Sequence, residues 1–149
     1  MRYVHTNITS KDWRKLADFY INVFSCRIKP PERYLTGAWL SRGTGVSNAA
    51  IQGVHLYLPG YETHPVQPTL EIFQYSQYEQ KLKGIPNRLG YGHIAFEVDD
   101  IYMVLDQIVL HGGLALGQIS EIMIEGVGTL FFVYATDPEN NCIELQTWK

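Results

Sequence analysis

The chain contains one pattern twice: a short strand with a central histidine, followed directly by an amphipathic helix. The first copy begins with Tyr3–Ile8 and the second with Tyr91–Val98, and their histidines, His5 and His93, lie 88 positions apart. A long-period repeat of this kind is the signature of a structural unit that occurs twice. The sequence therefore predicts two similar modules rather than one continuous sheet.

Capping residues and apolar spacing predict where the two helices begin and end. The first helix has Thr9 and Ser10 as N-cap candidates and carries apolar residues at i, i+3 and i+4 as far as Phe24. The second begins at Asp99 or Asp100 and stops at His111–Gly113, where glycine can adopt the left-handed conformation that ends a helix.

Each predicted helix is followed by β-type segments, and each copy ends in a strand that carries a glutamate. These final strands are Thr69–Tyr75, with Glu71, and Cys142–Trp148, with Glu144. The second copy also shows a strand near Leu130–Ala135 before a turn at residues 137–141.

The pattern predicts an α+β fold made of two βαβββ modules within one domain spanning residues 1–149. The modules cover about residues 1–79 and 89–149, and a linker of about residues 80–88 joins them. The first module is longer, and its extra residues are expected between positions 29 and 68.

Four potential metal ligands are predicted to lie on the sheet faces that point away from the helices. Side chains alternate between the two faces of a strand. His5, Glu71, His93 and Glu144 each stand opposite the apolar residues that would pack under a helix. If both sheets curve around these faces, the four side chains converge as a site for one divalent ion, with Zn, Ni, Co, Mn and Fe all compatible.

The charge balance and the cysteine content exclude several other classes of protein. Lys and Arg number 12 against 15 Asp and Glu, giving a net charge of −3, so neither nucleic acid nor an anionic membrane is an expected partner. No apolar run is long enough to span a bilayer, and Met1–His5 lacks the apolar segment of a signal peptide. Two cysteines without a framework pattern suit a reducing compartment, so a cytoplasmic protein is predicted.

Several segments resemble the vicinal oxygen chelate superfamily and, within it, glyoxalase I (lactoylglutathione lyase). The resemblance covers most of the chain and is carried by Met1–Thr6, Asp18–Tyr20, Leu89–Ala95, Asp137–Pro138 and Ile143–Leu145. It implies paired βαβββ modules around a metal, with His5, Glu71, His93 and Glu144 at the four ligand positions. It also implies a homodimer, in which the metal site lies within one chain or at the interface.

The resemblance implies a lyase or isomerase that chelates a small carbonyl substrate of the hemithioacetal type and moves a proton through a metal-bound enediolate. Glu144 is the first candidate for the base and Glu71 the second. The segment Ala38–Ala50 differs from small bacterial glyoxalases, which leaves the use of glutathione open.

Further side chains are candidates for contact with a small-molecule substrate. Phe73 and Cys142 share the ligand faces, Trp39 and Arg42 lie in the divergent segment, and Asn7 follows His5 on the first strand. His55 lies on an alternating strand that could direct it to the same face as the ligands, but it has no partner in the repeat, so we favour a structural role for it.

Two other functions remain open at this stage. A thioester epimerase resembling methylmalonyl-CoA epimerase also removes a proton beside a chelated carbonyl, although its second ligand is usually glutamine rather than the glutamate found at position 71. A drug-binding protein resembling the bleomycin-resistance proteins shares the fold without a metal. The presence of all four candidate ligands favours the metal-dependent enzyme.

Overall fold

The computed structural model describes residues 1–80, 82 and 84–149, and the chain divides into two compact units, Met1–Gln80 and Lys81–Lys149. The linker predicted at about residues 80–88 includes positions 81 and 83, which lie outside the described residues. No helix in the described part of the chain is long and apolar enough to cross a membrane.

The first unit is a four-stranded sheet with two helices. In chain order its elements are β1 (His5–Thr9), α1 (Trp13–Phe24), β2 (Arg27–Thr36), α2 (Ala38–Thr44), β3 (Ala50–Tyr57) and β4 (Thr69–Tyr75). The strand order is β1-β4-β3-β2, with β1 parallel to β4 and the other neighbours antiparallel. The last strand of the unit therefore lies next to its first strand.

The second unit repeats this arrangement with one strand broken in two. Its elements are β5 (Ile94–Glu97), α3 (Ile101–Leu110), β6 (Leu114–Ala115), β7 (Ser120–Ile124), β8 (Gly128–Thr136) and β9 (Cys142–Trp148). The strand order is β5-β9-β8, with both β6 and β7 paired to β8. Strands β6 and β7 together take the position that β2 has in the first unit, so the predicted α+β fold of two βαβββ modules is confirmed.

The start of α1 and the presence of α2 differ from the sequence prediction. The N-cap of α1 is Asp12, whose side chain accepts a hydrogen bond from the backbone N–H of Lys15, so the expected cap at Thr9 or Ser10 is wrong. Ser10 instead accepts a hydrogen bond from the backbone N–H of Asp12. Helix α2 was not predicted, because its N-cap is Gly37 and no side chain caps it.

The end of α3 follows the prediction. Its N-cap is Asp100 and its C-cap is His111, and the next residue, Gly112, has the positive φ of 91° that reverses the chain. The expected helix boundaries in the second module are thereby confirmed.

One face of each sheet packs against a helix, which leaves the other face for polar side chains. In the first unit α1 packs on β3 and β4, and in the second α3 packs on β8 and β9. The buried side chains under α1 include Val54, Leu56, Leu70 and Ile72, and those under α3 include Val133, Ala135, Ile143 and Leu145. Because strand residues alternate, the residues between them face away from the helices.

The turn between β8 and β9 is held by a buried carboxylate. Asp137, which is 1% exposed, accepts hydrogen bonds from the backbone N–H groups of Glu139 and Asn141 at 2.9 Å and from the Asn141 side-chain amide at 2.6 Å. Asn140 supplies the left-handed residue of this turn, with a φ of 62°. The turn fixes how β9 begins, and therefore which residue of β8 faces Glu144.

Replacing Asp137 by alanine is expected to lower the free energy of unfolding by about 2–3 kcal/mol, because two part-buried backbone N–H groups and the Asn141 amide lose their acceptor. Urea denaturation followed by circular dichroism measures the change. Asp137→Asn, which keeps one acceptor oxygen, should lose less. Asp106→Ala, at an exposed position of α3, serves as the control and should change stability by less than about 0.5 kcal/mol. Equal stability of Asp137→Ala and wild type would contradict this account of the turn.

Candidate functional site

Glu71 lies in the middle of β4, between one parallel and one antiparallel neighbour. The registers place Asn7 of β1 beside it on one side and His55 of β3 beside it on the other. The three residues are on the face that does not carry the helix, so their side chains can meet. Glu71 is nevertheless buried, with 8% of its surface exposed.

Three donors surround the Glu71 carboxylate. His55 Nε2 lies 3.0 Å from Oε1, and His5 Nε2 lies 3.3 Å from Oε2. The side-chain amide of Asn7 donates to Oε2 at 3.3 Å. A buried carboxylate is stable when such partners replace its water. The two imidazoles therefore bind different oxygens of one carboxylate.

His55 is enclosed on its other side as well. Its Nδ1 lies 3.2 Å from the hydroxyl of Thr69, which is 2% exposed, and its ring meets the edge of Phe73 at a centroid distance of 5.6 Å. Burial lowers the pKa of His55 below its usual value, and the positive charges of Arg33 and Lys29 act in the same direction, whereas the Glu71 charge opposes them. The neutral imidazole is therefore favoured near neutral pH.

The second unit contains the corresponding pair. His93 Nε2 lies 2.9 Å from Glu144 Oε2, with His93 just before β5 and Glu144 in β9. Tyr134 of β8 stands directly opposite Glu144 in the register, and its ring contacts the ring of His93 at a centroid distance of 5.0 Å. Burial raises the pKa of Tyr134, and the neighbouring Glu144 charge and the hydrogen bond to that carboxylate raise it further. The tyrosine thus stays protonated beside Glu144.

The same arrangement of three side chains occurs in both units, but one of the three residues differs in type. In each, the carboxylate of the last strand meets the histidine at the first strand and the side chain opposite it on the penultimate strand. That opposite side chain is His55 in the first unit and Tyr134 in the second. Tyr134 was not predicted from the sequence, and for His55 a structural role was favoured over a position on the ligand face. The signal for Tyr134 was present, since counting back from Glu144 across the short turn at residues 137–141 leads to it.

The structure brings some of the predicted substrate-contacting residues to these pairs. Asn7 and Phe73 join the group around Glu71, through the amide of Asn7 and through the contact of Phe73 with His55. Cys142 is buried at the start of β9, two residues before Glu144. Trp39 and Arg42 lie on α2, where Trp39 is 56% exposed and Leu40 provides the buried contact.

The four predicted ligands stand as two pairs, one in each unit. Within residues 1–80, 82 and 84–149, no group of three or more His, Cys, Asp and Glu side chains is arranged to hold a metal ion. Each pair alone offers one imidazole nitrogen and one carboxylate. A complete coordination shell therefore needs more ligands than either pair provides.

The chain matches the model of a known protein family over most of its length. The model of the Glyoxalase/Bleomycin resistance protein/Dioxygenase superfamily matches residues 2–145. The chain belongs to this superfamily. The resemblance to vicinal oxygen chelate proteins is thereby confirmed. Glyoxalase/bleomycin resistance/dioxygenase proteins commonly bind divalent metals and small molecules and often form dimers, and the superfamily includes both enzymes and proteins without enzymatic activity.

Solved structures of the superfamily share the fold at low sequence identity. A glyoxalase family protein from Bacillus cereus has a TM-score of 0.75 and 18% identity, covering 99% of this chain and 93% of its own. A glyoxalase family protein from Enterococcus faecalis has a TM-score of 0.60 and 19% identity, covering 98% and 95%. A glyoxalase I mutant from Zea mays has a TM-score of 0.63 and 19% identity, and covers 97% of this chain but 44% of its own. No curated protein sequence matches the chain significantly.

Proposed function

We propose that the protein is a metal-dependent lyase or isomerase of the glyoxalase I type. Its substrate is a small carbonyl compound of the hemithioacetal class with two adjacent oxygens, in which a proton moves between neighbouring carbons. The observation that carries this proposal is the repeated pairing of a histidine Nε2 with a glutamate carboxylate, His5 with Glu71 and His93 with Glu144. The likeness of the fold to glyoxalase I from Zea mays supports it.

The separation of the atoms within each pair fits ligands of one ion. Nitrogen and oxygen ligands lie about 2.0–2.2 Å from zinc, so two neighbouring ligands are about 2.8–3.6 Å apart in octahedral or tetrahedral geometry. The distances of 3.3 Å between His5 and Glu71 and 2.9 Å between His93 and Glu144 are within this range. We propose His5, Glu71, His93 and Glu144 as the ligands, with Zn, Ni, Co, Mn and Fe all suited to such a donor set.

The bound metal would polarise the substrate oxygens and stabilise the negative charge that develops on them. Glu144 is the proposed base: its carboxylate takes the proton from one carbon and returns it to the next. Tyr134 stands directly opposite Glu144 in the β8–β9 register, where its hydroxyl can orient the carboxylate that takes the proton. Glu71 is the second candidate, but it is held by three donors and is less free to leave its position.

Purified, untagged wild-type protein is expected to take up one divalent ion per chain, and His93→Ala is expected to lose it. Removing one of four ligands deletes a bond to the metal and leaves Glu144 without its imidazole partner. Elemental mass spectrometry measures the metal content, and a hemithioacetal assay on the metal-loaded protein measures turnover. His111→Ala is the control, because His111 caps α3 and contacts Gln107 rather than a carboxylate.

The outcomes separate the candidate functions. Bound metal together with turnover of the glutathione hemithioacetal supports the proposal. Bound metal without turnover of any hemithioacetal contradicts the lyase assignment and directs the search to thioester substrates. Wild-type protein that binds no metal after reconstitution overturns the metal-dependent activity altogether. Size-exclusion chromatography with light scattering on the same samples tests the proposed homodimer.

A further inference from the structure

We infer that His55 is a positioning residue that holds the Glu71 carboxylate in the orientation needed to ligate a metal through its Oε2 atom. The inference rests on the proposed function, since it assigns a role to His55 at the proposed metal ligands. It concerns a side chain outside the four-residue ligand set. The role follows from how the two oxygens of Glu71 are shared among their neighbours.

The two carboxylate oxygens have different partners. Oε2 faces the proposed ligand His5, at 3.3 Å from Nε2, and accepts a hydrogen bond from the Asn7 amide at 3.3 Å, whereas Oε1 is bound by His55, at 3.0 Å from Nε2. A carboxylate fixed through one oxygen presents the other in a defined direction. His55 thus restricts rotation of the Glu71 side chain and leaves Oε2 directed to His5. Partners that orient metal-binding carboxylates in this way commonly affect metal affinity by about 10–100-fold.

The Glu71 carboxylate determines which nitrogen of His55 carries the proton, and Thr69 can donate to the other nitrogen. The neutral ring has one N–H, and Nε2 must be that donor if it is to bond an ionised carboxylate. Nδ1 is then an acceptor, and the Thr69 hydroxyl lies 3.2 Å from it with a proton to donate. Thr69 is 2% exposed, so water does not compete for this bond. In this buried series of hydrogen bonds, Thr69 therefore donates to His55 Nδ1 and His55 Nε2 donates to Glu71.

The surroundings of His55 hold its ring in place from further sides. Lys29 lies opposite His55 in the β2–β3 register, on the strand next to β3. The Phe73 ring packs nearly perpendicular to the His55 ring, at an interplanar angle of 81°. The ring is thus held by contacts on several sides, as a positioning role requires.

The tautomer can be measured before any metal is added. In ¹⁵N-labelled, metal-free protein at pH 8, long-range ¹H–¹⁵N spectra should show His55 with the proton on Nε2 and an unprotonated Nδ1. Thr69→Val, which removes the hydroxyl and keeps the shape, should shift His55 toward a mixture of tautomers. A wild-type His55 with its proton on Nδ1 would overturn the inference.

Metal affinity provides the second test, with Co²⁺ as the probe. His55→Phe removes the donor while filling a similar volume, and is expected to weaken Co²⁺ binding by about 10–100-fold and to change the visible absorption spectrum of the bound ion. His55→Gln restores an N–H donor and should recover most of the affinity and the wild-type spectrum. His64→Phe is the matched control, since His64 contacts Tyr61 outside this group. Thermal unfolding of each metal-free variant identifies any loss of folding.

Failure of this inference is distinguishable from failure of the proposed function. Wild-type protein that binds no Co²⁺ contradicts the metal site, while the tautomer measurement still tests the link from Thr69 to Glu71. Wild-type affinity and spectrum in a folded His55→Phe variant would overturn the positioning role and leave the metal site intact. Loss of affinity in His55→Phe without recovery in His55→Gln would show that the imidazole acts by something other than its N–H donor, and would also overturn the inference.

Discussion

The Glu144→Gln variant is expected to bind the metal and to lose about 10²–10⁴-fold in kcat, the contribution typical of a positioned general base. Glutamine has the size of the original side chain and keeps an oxygen that can face His93 Nε2, which lies 2.9 Å from the carboxylate in the wild-type protein. It cannot accept the substrate proton. The measurement is kcat for the hemithioacetal on protein whose metal content has been determined in the same sample. Wild-type kcat in the metal-loaded variant would exclude Glu144 as the base.

Glu71→Gln provides the comparison that distinguishes the two carboxylates. Because Glu71 is held by His5, Asn7 and His55, its replacement should chiefly lower metal occupancy, with a smaller fall in kcat per bound metal. Glu121→Gln, at an exposed position of β7, is the control for loss of a carboxylate and should retain wild-type kcat. A larger fall in kcat per metal for Glu71→Gln than for Glu144→Gln would reverse the assignment of the base.

Gly53→Ala is expected to destabilise the first unit by about 3 kcal/mol or more, because the added methyl group has no space. Its Cβ would lie 2.1 Å from the backbone oxygen of Ile72 and 2.5 Å from Cδ1 of Phe73. The obstructing oxygen belongs to the backbone of β4, so the added methyl group fits only if β3 and β4 move apart. These strands carry His55 and Glu71, and metal binding should therefore weaken together with stability.

Urea denaturation with circular dichroism measures this loss, and Gly43→Ala is its matched control. Gly43 lies in α2, and a Cβ there would meet no atom within 4 Å. The control should be neutral or stabilising by up to about 1 kcal/mol, since alanine favours helix over glycine. Equal stability of Gly53→Ala and wild type would show that β3 and β4 tolerate a wider separation than the structure indicates.

The repeat allowed the general fold to be predicted from the sequence, because local signals agreed in both copies. The final strands were predicted with the observed bounds, Thr69–Tyr75 and Cys142–Trp148, since each alternates apolar residues with polar ones. Asp100 and Gly112 mark the two ends of α3, as N-cap and as the left-handed residue after the C-cap. The four candidate ligands were expected to converge because they share the sheet faces opposite the helices, and the structure places them as two histidine–glutamate pairs, one in each unit.

Features that depend on register or on tertiary packing were harder to predict. His55 faces Glu71 only because of the β3–β4 register, and the connection of residues 58–68 is too long for that register to be read from the sequence. Helix α2 has no side-chain cap and is held by Leu40 against Ala49, Ile51 and Phe73, contacts that no local pattern reveals. In both cases the decisive interaction comes from residues distant in sequence.

The parallel pairing of β1 with β4 and of β5 with β9 determines when the histidine–glutamate pairs form. His5 and Glu71 are joined across neighbouring strands, although most of the first unit lies between them in sequence. Contacts of this kind form late, because chain closure costs entropy before any contact offsets it. During synthesis His5 is added to the chain 66 residues before Glu71, and His93 is added 51 residues before Glu144. A half-made unit consequently presents single imidazoles rather than a paired site, and assembly of the pairs coincides with completion of the fold.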